Sequence, residues 1–337
     1  MLRNWRLWLG LAISLVFLFW LGGQVQDFDR VLDLLARAQY VYLLPALAIY
    51  FIGVWLRAVR WRFLLLPLKP VSSRRLFPVV VIGYMVNDIL PARLGELARA
   101  YLLGEREGVS KSATLATIVV ERVFDGLVLL GLMLVVALTM PFDPTLRQIV
   151  WATGLLFLGL LVLIVAMSAR PSWAEGLVSL CLRPLPERYR APLAGVALAG
   201  LTGLRALRSA RMALAALALS AAAWLCETAM YYVIALGFFS HVSVRATLLA
   251  TSVANVGGMI PSSPGYVGTF DALAVFSLGL FGVGRELALG YTAVLHLALL
   301  LPITLLGFFY LWRENLTLRG LSQARLQPSL PADGPAD

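Results

Sequence analysis

The chain is poor in the residues from which metal and thiol centres are usually assembled. Among 337 residues it has two cysteines, Cys181 and Cys226, and two histidines, His241 and His296. They form no CxxC, HExxH or His/Cys cluster, so the sequence supports neither a disulfide framework nor a metal site. No cofactor is expected either, because no Walker or other nucleotide-binding signature is present. Charge is scarce as well: 14% of residues are charged and 60% hydrophobic, with a mean hydropathy of +0.84. A soluble domain is closer to half apolar and a quarter charged. This composition belongs to a polytopic membrane protein.

What charge there is gives a net +10. The basic residues gather beside apolar segments and accompany no soluble recognition module, which points to an anionic lipid surface rather than nucleic acid. About 20 apolar residues cross a bilayer, and spans read at 5–23, 40–59, 112–139, 147–168, 211–238 and 287–312. The first follows Arg3 and Arg6 without an Ala-x-Ala-like site, so it reads as an uncleaved helix. Segment 24–39 and segment 172–208 have the pattern of interfacial helices, the latter on the cytoplasmic leaflet. The tail 316–337, rich in Pro, Ala and polar residues, is expected to be disordered. The remainder, 1–315, reads as a single membrane domain.

Two apolar pieces, about 76–104 and 246–281, are interrupted near their middles. The first contains Asn87, Asp88, Pro91, Arg93, Gly95 and Glu96; the second contains Asn255, Gly257, Gly258, Pro261, Ser262, Ser263, Pro264, Gly265 and Tyr266. In each, an Asn precedes a Pro and a Gly lies four residues after it. Paired interruptions of this kind mark substrate sites in transporters built from inverted repeats. Each half is too short to cross, so both pieces read as re-entrant hairpins. With six spans and two hairpins, twenty Lys/Arg fall on the cytoplasmic side with both termini and five on the other, leaving Arg93, Arg99 and Arg122 within the membrane. The hairpins then enter from opposite faces. The expected fold is all-α: about six spanning helices plus two oppositely oriented re-entrant hairpins forming an inverted repeat.

Charges inside a spanning helix cost about 2.5–3.5 kcal/mol each on insertion scales, so each is a candidate for function. Thr114, Thr117, Glu121 and Asp125 form one helical stripe with Arg122 beside it, and Ser220, Trp224, Glu227 and Tyr231 form another. They would line a polar cavity or carry protons; the alternative is an ion-pair network with Arg93 or Arg99. In the first hairpin, Tyr84, Asn87, Asp88, Arg93, Glu96 and Arg99 stand near a half-helix starting at Pro91, whose N-terminus suits a phosphate. Arg93 and Arg99 could instead snorkel to lipid headgroups. The second hairpin adds Gly268, Thr269 and Asp271 to its Gly, Pro and Ser run. Arg57, Arg60, Trp61 and Arg62 read as the anchoring end of span 40–59, with headgroup capture as the alternative.

Several of these residues carry a resemblance: Arg57-x-x-Arg60-Trp61, the run Gly83-Tyr84-x-x-Asn87 to Pro91-x-Arg93-x-Gly95-Glu96-x-x-Arg99, Glu121-Arg122-x-x-Asp125, Glu227-x-x-x-Tyr231, and Gly257-Gly258-x-Ile260-Pro261-x-x-Pro264-Gly265-x-x-Gly268. Together they resemble the flippase-like integral membrane family, also called the lysylphosphatidylglycerol synthase transmembrane region, over about 5–315. The resemblance implies the lipid-translocating part, here as a stand-alone member without the aminoacyl transferase domain, and implies roles for Arg93, Glu96, Glu121, Arg122, Asp125, Glu227 and the 257–268 run. A lipid flippase of the bacterial-type cytoplasmic (inner) membrane is therefore the leading expectation, moving an anionic or glycosylated lipid. The alternatives are an integral-membrane transferase acting on a lipid carrier, or a non-transporting subunit of a hopanoid or glycolipid biosynthesis complex. Membrane lipids are the expected partners, with lipid-biosynthesis enzymes and homo-oligomerisation left open.

Overall fold

The structure is a computed structural model that describes residues 12, 15–17, 19, 23, 27–90, 93–139, 144–183, 186–241, 243–258 and 263–314. The sequence readings for most of span 5–23, the tail 316–337, Pro91, Pro261 and Ser262 fall outside the described residues. What is described is helical, with no strand among it. Twelve α-helices are numbered here in chain order.

The amphipathic α1 (Phe28–Arg37) starts where the Asp27 side chain accepts from the Arg30 N–H, 3.0 Å away. After a 3-10 turn, Tyr40–Tyr42, come α2 (Leu43–Leu65), α3 (Ser73–Ile89) and α4 (Leu94–Glu107). Helix α3 stops because Leu90, next to Pro91, is extended (φ −109°, ψ 139°), as a residue before proline prefers. Gly108, at φ 64°, ends α4. Ser110 then caps α5 (Lys111–Ala137) by accepting from the Ala113 N–H. There follow α6 (Pro144–Ala169), α7 (Pro171–Leu182), α8 (Glu187–Thr202) and a 3-10 segment, Gly203–Arg208. Ser209 caps α9 (Ala210–Leu236), which leads to α10 (Val244–Gly257), a short turn Pro264–Tyr266, α11 (Thr269–Gly279) and α12 (Arg285–Arg313).

Tyr40–Leu65, Ala210–Leu236 and Arg285–Arg313 are long and apolar enough to cross a membrane, at 26, 27 and 29 residues. Helix α5 is as long, 27 residues, but carries Glu121, Arg122 and Asp125. The broken segments behave differently. Their arms α3, α4, α10 and α11 have 17, 14, 14 and 11 residues. At about 1.5 Å per residue none reaches the ~30 Å of a hydrocarbon core.

Packing follows a paired plan. Helices α2 and α9 form the most extensive contact of the molecule. The first arm of each hairpin then packs on the long helix that follows the other hairpin: α3 on α12, and α10 on α5. Within each half the arms pack on each other, α3 with α4 and α10 with α11. A contiguous apolar core runs through Trp61, Leu76, Ile82, Met85, Tyr231, Tyr291 and Leu295.

One expectation changes. Helix α2 does not end at residue 59: it continues to Leu65, and Arg57, Arg60 and Trp61 are buried at 6%, 0% and 0% exposure. They are not membrane anchors, because each finds a partner inside the bundle. Removing Arg57 and Arg60 from the cytoplasmic tally leaves eighteen basic residues against five. The end of the 172–208 segment, the 3-10 turn Gly203–Arg208, packs into the bundle. Leu204, Ala206 and Leu207 are buried, and α5 comes so close that a Cβ on Gly203 would meet the Ala113 carbonyl oxygen at 2.1 Å.

Candidate functional site

The two hairpins meet at their tips. Arg93 sits at the N-cap of α4 with φ 53° and ψ 41°, a left-handed conformation that costs a non-glycine residue roughly 1–2 kcal/mol. Contacts to the other hairpin hold it: Arg93 Nη2 donates to the Gly258 carbonyl, 2.6 Å away, and the guanidinium lies 5.6 Å from the centre of the Tyr266 ring. Within the first hairpin, Gly95 lets the arms close, since a Cβ there would fall 1.8 Å from the Gly83 carbonyl oxygen. The Asn87 Oδ1 takes the otherwise orphaned Gly95 N–H at 2.8 Å. The half-helix N-terminus expected to face a phosphate is thus occupied in part by Asn87, and Arg93 by Gly258.

Behind the tips lies a partly open cavity of about 160 Å³. Arg57, Tyr84, Asn87, Arg93, Glu96, Arg122, Asp125, Glu227, Asn255, Gly258 and Gly265 line it, all singled out by the sequence. Tyr50, Asp88, Trp224, Tyr266, Phe270 and His296 complete its polar and aromatic wall. Tyr231 stands just outside, its hydroxyl accepting from Asn255 Nδ2 at 3.1 Å. Gly257 is a packing position, where a Cβ would strike the Leu273 side chain at 1.8 Å. Ser263, Pro264, Gly268 and Asp271 build the connection into α11: Ser263 Oγ donates to the Val267 carbonyl at 3.2 Å, and Asp271 accepts from the Gly268 N–H at 2.9 Å.

A charged layer sits on one side of the cavity. Arg57 pairs with Glu227 at 2.7 Å, its guanidinium 4.8 Å from the Trp224 ring centre. Arg60 forks between Asp125 and Glu121, the latter at 3.3 Å, and also donates to Ser220 Oγ at 2.7 Å. Arg99 takes the other Glu121 oxygen at 2.8 Å and stacks 4.1 Å from the Trp61 ring centre. Asp125 further accepts from Trp224 Nε1 at 3.0 Å and pairs with Arg122 at 3.4 Å; Arg122 reaches Glu96 at 3.6 Å. The α5 stripe therefore divides. Asp125 reaches the cavity wall, whereas Glu121 and Thr117, both 0% exposed, are enclosed, with Thr117 receiving the Trp61 indole at 3.0 Å. Arg99 does not snorkel, because Glu121 and Trp61 hold it inside at 3% exposure. Separating such a buried pair by removing one partner costs about 3–5 kcal/mol, since the other charge is left stranded.

Sequence reasoning passed over His296 as scattered, and named Asp88 only among the polar residues of the first hairpin. Thr304 Oγ1 donates to Asp88 at 2.9 Å, and His296 contacts both Asp271 and the Gly265 carbonyl. A lone histidine in the apolar 29-residue α12 was the available signal.

Among known families, residues 7–307 match the one described as Lysylphosphatidylglycerol synthase TM region. A UPF0104 membrane protein of Methanothermobacter thermautotrophicus is 24% identical over 294 residues, 82% of this chain and 86% of that protein. A second UPF0104 membrane protein of the same organism is 24% identical over 90% of both chains. Glycosyltransferase AglD of Haloferax volcanii is 29% identical over 83% of this chain, which spans only half of AglD. No solved structure matches.

Proposed function

We propose that this chain, which belongs to the lysylphosphatidylglycerol synthase transmembrane-region family, moves an amphiphilic lipid between membrane leaflets. It is a membrane protein, and the observation that carries the transport reading is the polar cavity behind two abutting hairpin tips. Its wall sets Arg57, Arg93 and Arg122 against Asp88, Glu96, Asp125 and Glu227, with Tyr50, Tyr84, Asn87 and Asn255 between them. Such a wall suits a headgroup rich in hydroxyls that also carries phosphate: tyrosine and amide groups bind hydroxyls, and arginine binds the phosphate. The acyl chains would remain in the bilayer while the headgroup passes the hairpins. In this reading α3–α4 and α10–α11 are re-entrant from opposite faces of the cytoplasmic membrane, among about six spans, with both termini cytoplasmic.

Reconstitution into vesicles holding a headgroup-labelled lipid in one leaflet tests it. Labelled glycolipid and anionic phospholipid should become reachable from the other side faster than in protein-free vesicles, and Glu227→Gln should slow the exchange at least several-fold. Equal rates with and without protein, for both lipids, would refute transport.

The likeness to a relative named a glycosyltransferase supports a second reading, a part in glycosyl transfer onto a lipid carrier. Incubation of the purified chain with a lipid carrier and sugar-nucleotide donors would then yield a new glycolipid on chromatography. Its absence, alongside measured exchange, leaves transport alone.

A further inference from the structure

His296 projects from the middle of α12 to the cavity wall, and both of its ring nitrogens face acceptors. Nε2 lies 2.8 Å from the Gly265 carbonyl oxygen, and Nδ1 lies 2.7 Å from Asp271 Oδ1. A carbonyl can only accept, so Nε2 carries a hydrogen. A neutral ring would then direct the bare Nδ1 lone pair at a carboxylate oxygen, which is repulsive at that distance. The contact exists only with a proton between the two groups, whether it is counted as imidazolium beside carboxylate or as imidazole beside carboxylic acid. The pair therefore holds one proton beyond its deprotonated state, and gives it up only by parting.

Asp88 on α3 is the other acidic group that acts on His296. Phe270 packs against the ring in a tilted arrangement, 42° between planes and 4.6 Å between ring centres. The pair also holds the tip of the second hairpin. Gly265, Tyr266 and Gly268 have φ of 69°, 60° and 87°. That turn is held by His296, from α12, on the Gly265 carbonyl and by Asp271, in the first turn of α11, on the Gly268 N–H. Tyr266, in the same turn, lies against Arg93 of the first hairpin. Losing the proton thus loosens the turn on which the two tips rest.

We infer that the His296–Asp271 pair is a proton-binding site that couples the protonation of the cavity to the closure of the hairpin tips. The inference rests on the transport reading for its coupling, but not for the proton.

With only two histidines in the chain, ¹⁵N-histidine labelling of the full-length protein in lipid nanodiscs reads the site directly. H296Q assigns the signal against His241. The expected result is a doubly protonated or strongly Nδ1-hydrogen-bonded ring at neutral pH that converts in one step, and a singly protonated ring at neutral pH in D271N. An Nδ1 without a proton or a strong hydrogen bond across about pH 5 to 9 overturns the inference, as does a D271N spectrum identical to wild type. In vesicles, the ratio of lipid exchange with and without an imposed pH gradient should exceed about threefold for wild type and fall to about one in D271N. A gradient effect retained in D271N overturns the coupling. A titrating pair in a protein that moves no lipid keeps the proton site and removes the transport reading.

Discussion

Arg60 shows how a charge is made tolerable where a lipid-facing one would be expelled. Its fork meets Asp125 and Glu121 while Ser220 takes a further N–H, so the guanidinium exchanges water for three fixed acceptors. Replacing it by Ala leaves two carboxylates enclosed with less positive charge. Arg60→Ala should lower the apparent melting temperature of the detergent-solubilised protein strongly, by the equivalent of about 3–5 kcal/mol. Arg60→Lys should fall between it and wild type, because a point charge cannot reproduce the fork. Equal melting of Arg60→Ala and wild type would mean the network holds nothing together. At this scale the sequence exposed the acids well, since Glu121, Asp125 and Glu227 interrupt otherwise apolar helices. It did not expose which arginine serves which acid. The Arg57–Arg62 run has the same composition as a helix-end anchor, and only the 170-residue separation closed by the Arg57–Glu227 bond distinguishes them.

At the scale of elements, the two helix breaks were legible because Pro interrupts a helix and Gly favours a turn, and the paired arms came out at 73–107 and 244–279 rather than 76–104 and 246–281. Their mutual support was not legible, as nothing in a local pattern says that α3 will rest on α12 and α10 on α5. The closeness of the α3 and α4 arms depends on Gly95, where a methyl group would enter the space of the Gly83 carbonyl and Asn87 Oδ1. Gly95→Ala is expected to destabilise by about 1–3 kcal/mol, as overpacking does. Gly131→Ala is the control: a Cβ at Gly131 meets nothing within 4 Å, and alanine favours the helix. Differential scanning of the two variants checks the contrast; a Gly95→Ala protein as stable as Gly131→Ala would show that the arms can part at no cost.

For the whole molecule, composition was enough to establish membrane residence and helical class, whereas the cavity needed the fold, because its wall draws on eight helices and the Pro264–Tyr266 turn. Its volume of about 160 Å³ makes it sensitive to filling. Leu300→Trp, which adds bulk to the wall from half-buried α12, should slow lipid exchange at least tenfold while the melting temperature stays within a few degrees of wild type. Undiminished exchange in that variant would place the lipid route elsewhere. The cross-bracing of the halves also sets a timetable for synthesis. The first hairpin is complete at Glu107, but α12, on which α3 rests, is complete only at Arg313. At roughly 5–20 residues per second the ribosome takes on the order of 10–40 s to make the intervening chain. Throughout that interval a short, arginine-bearing hairpin must wait in or beside the membrane without its permanent neighbour, so nascent chains halted before α12 should be the ones that quality-control proteases remove.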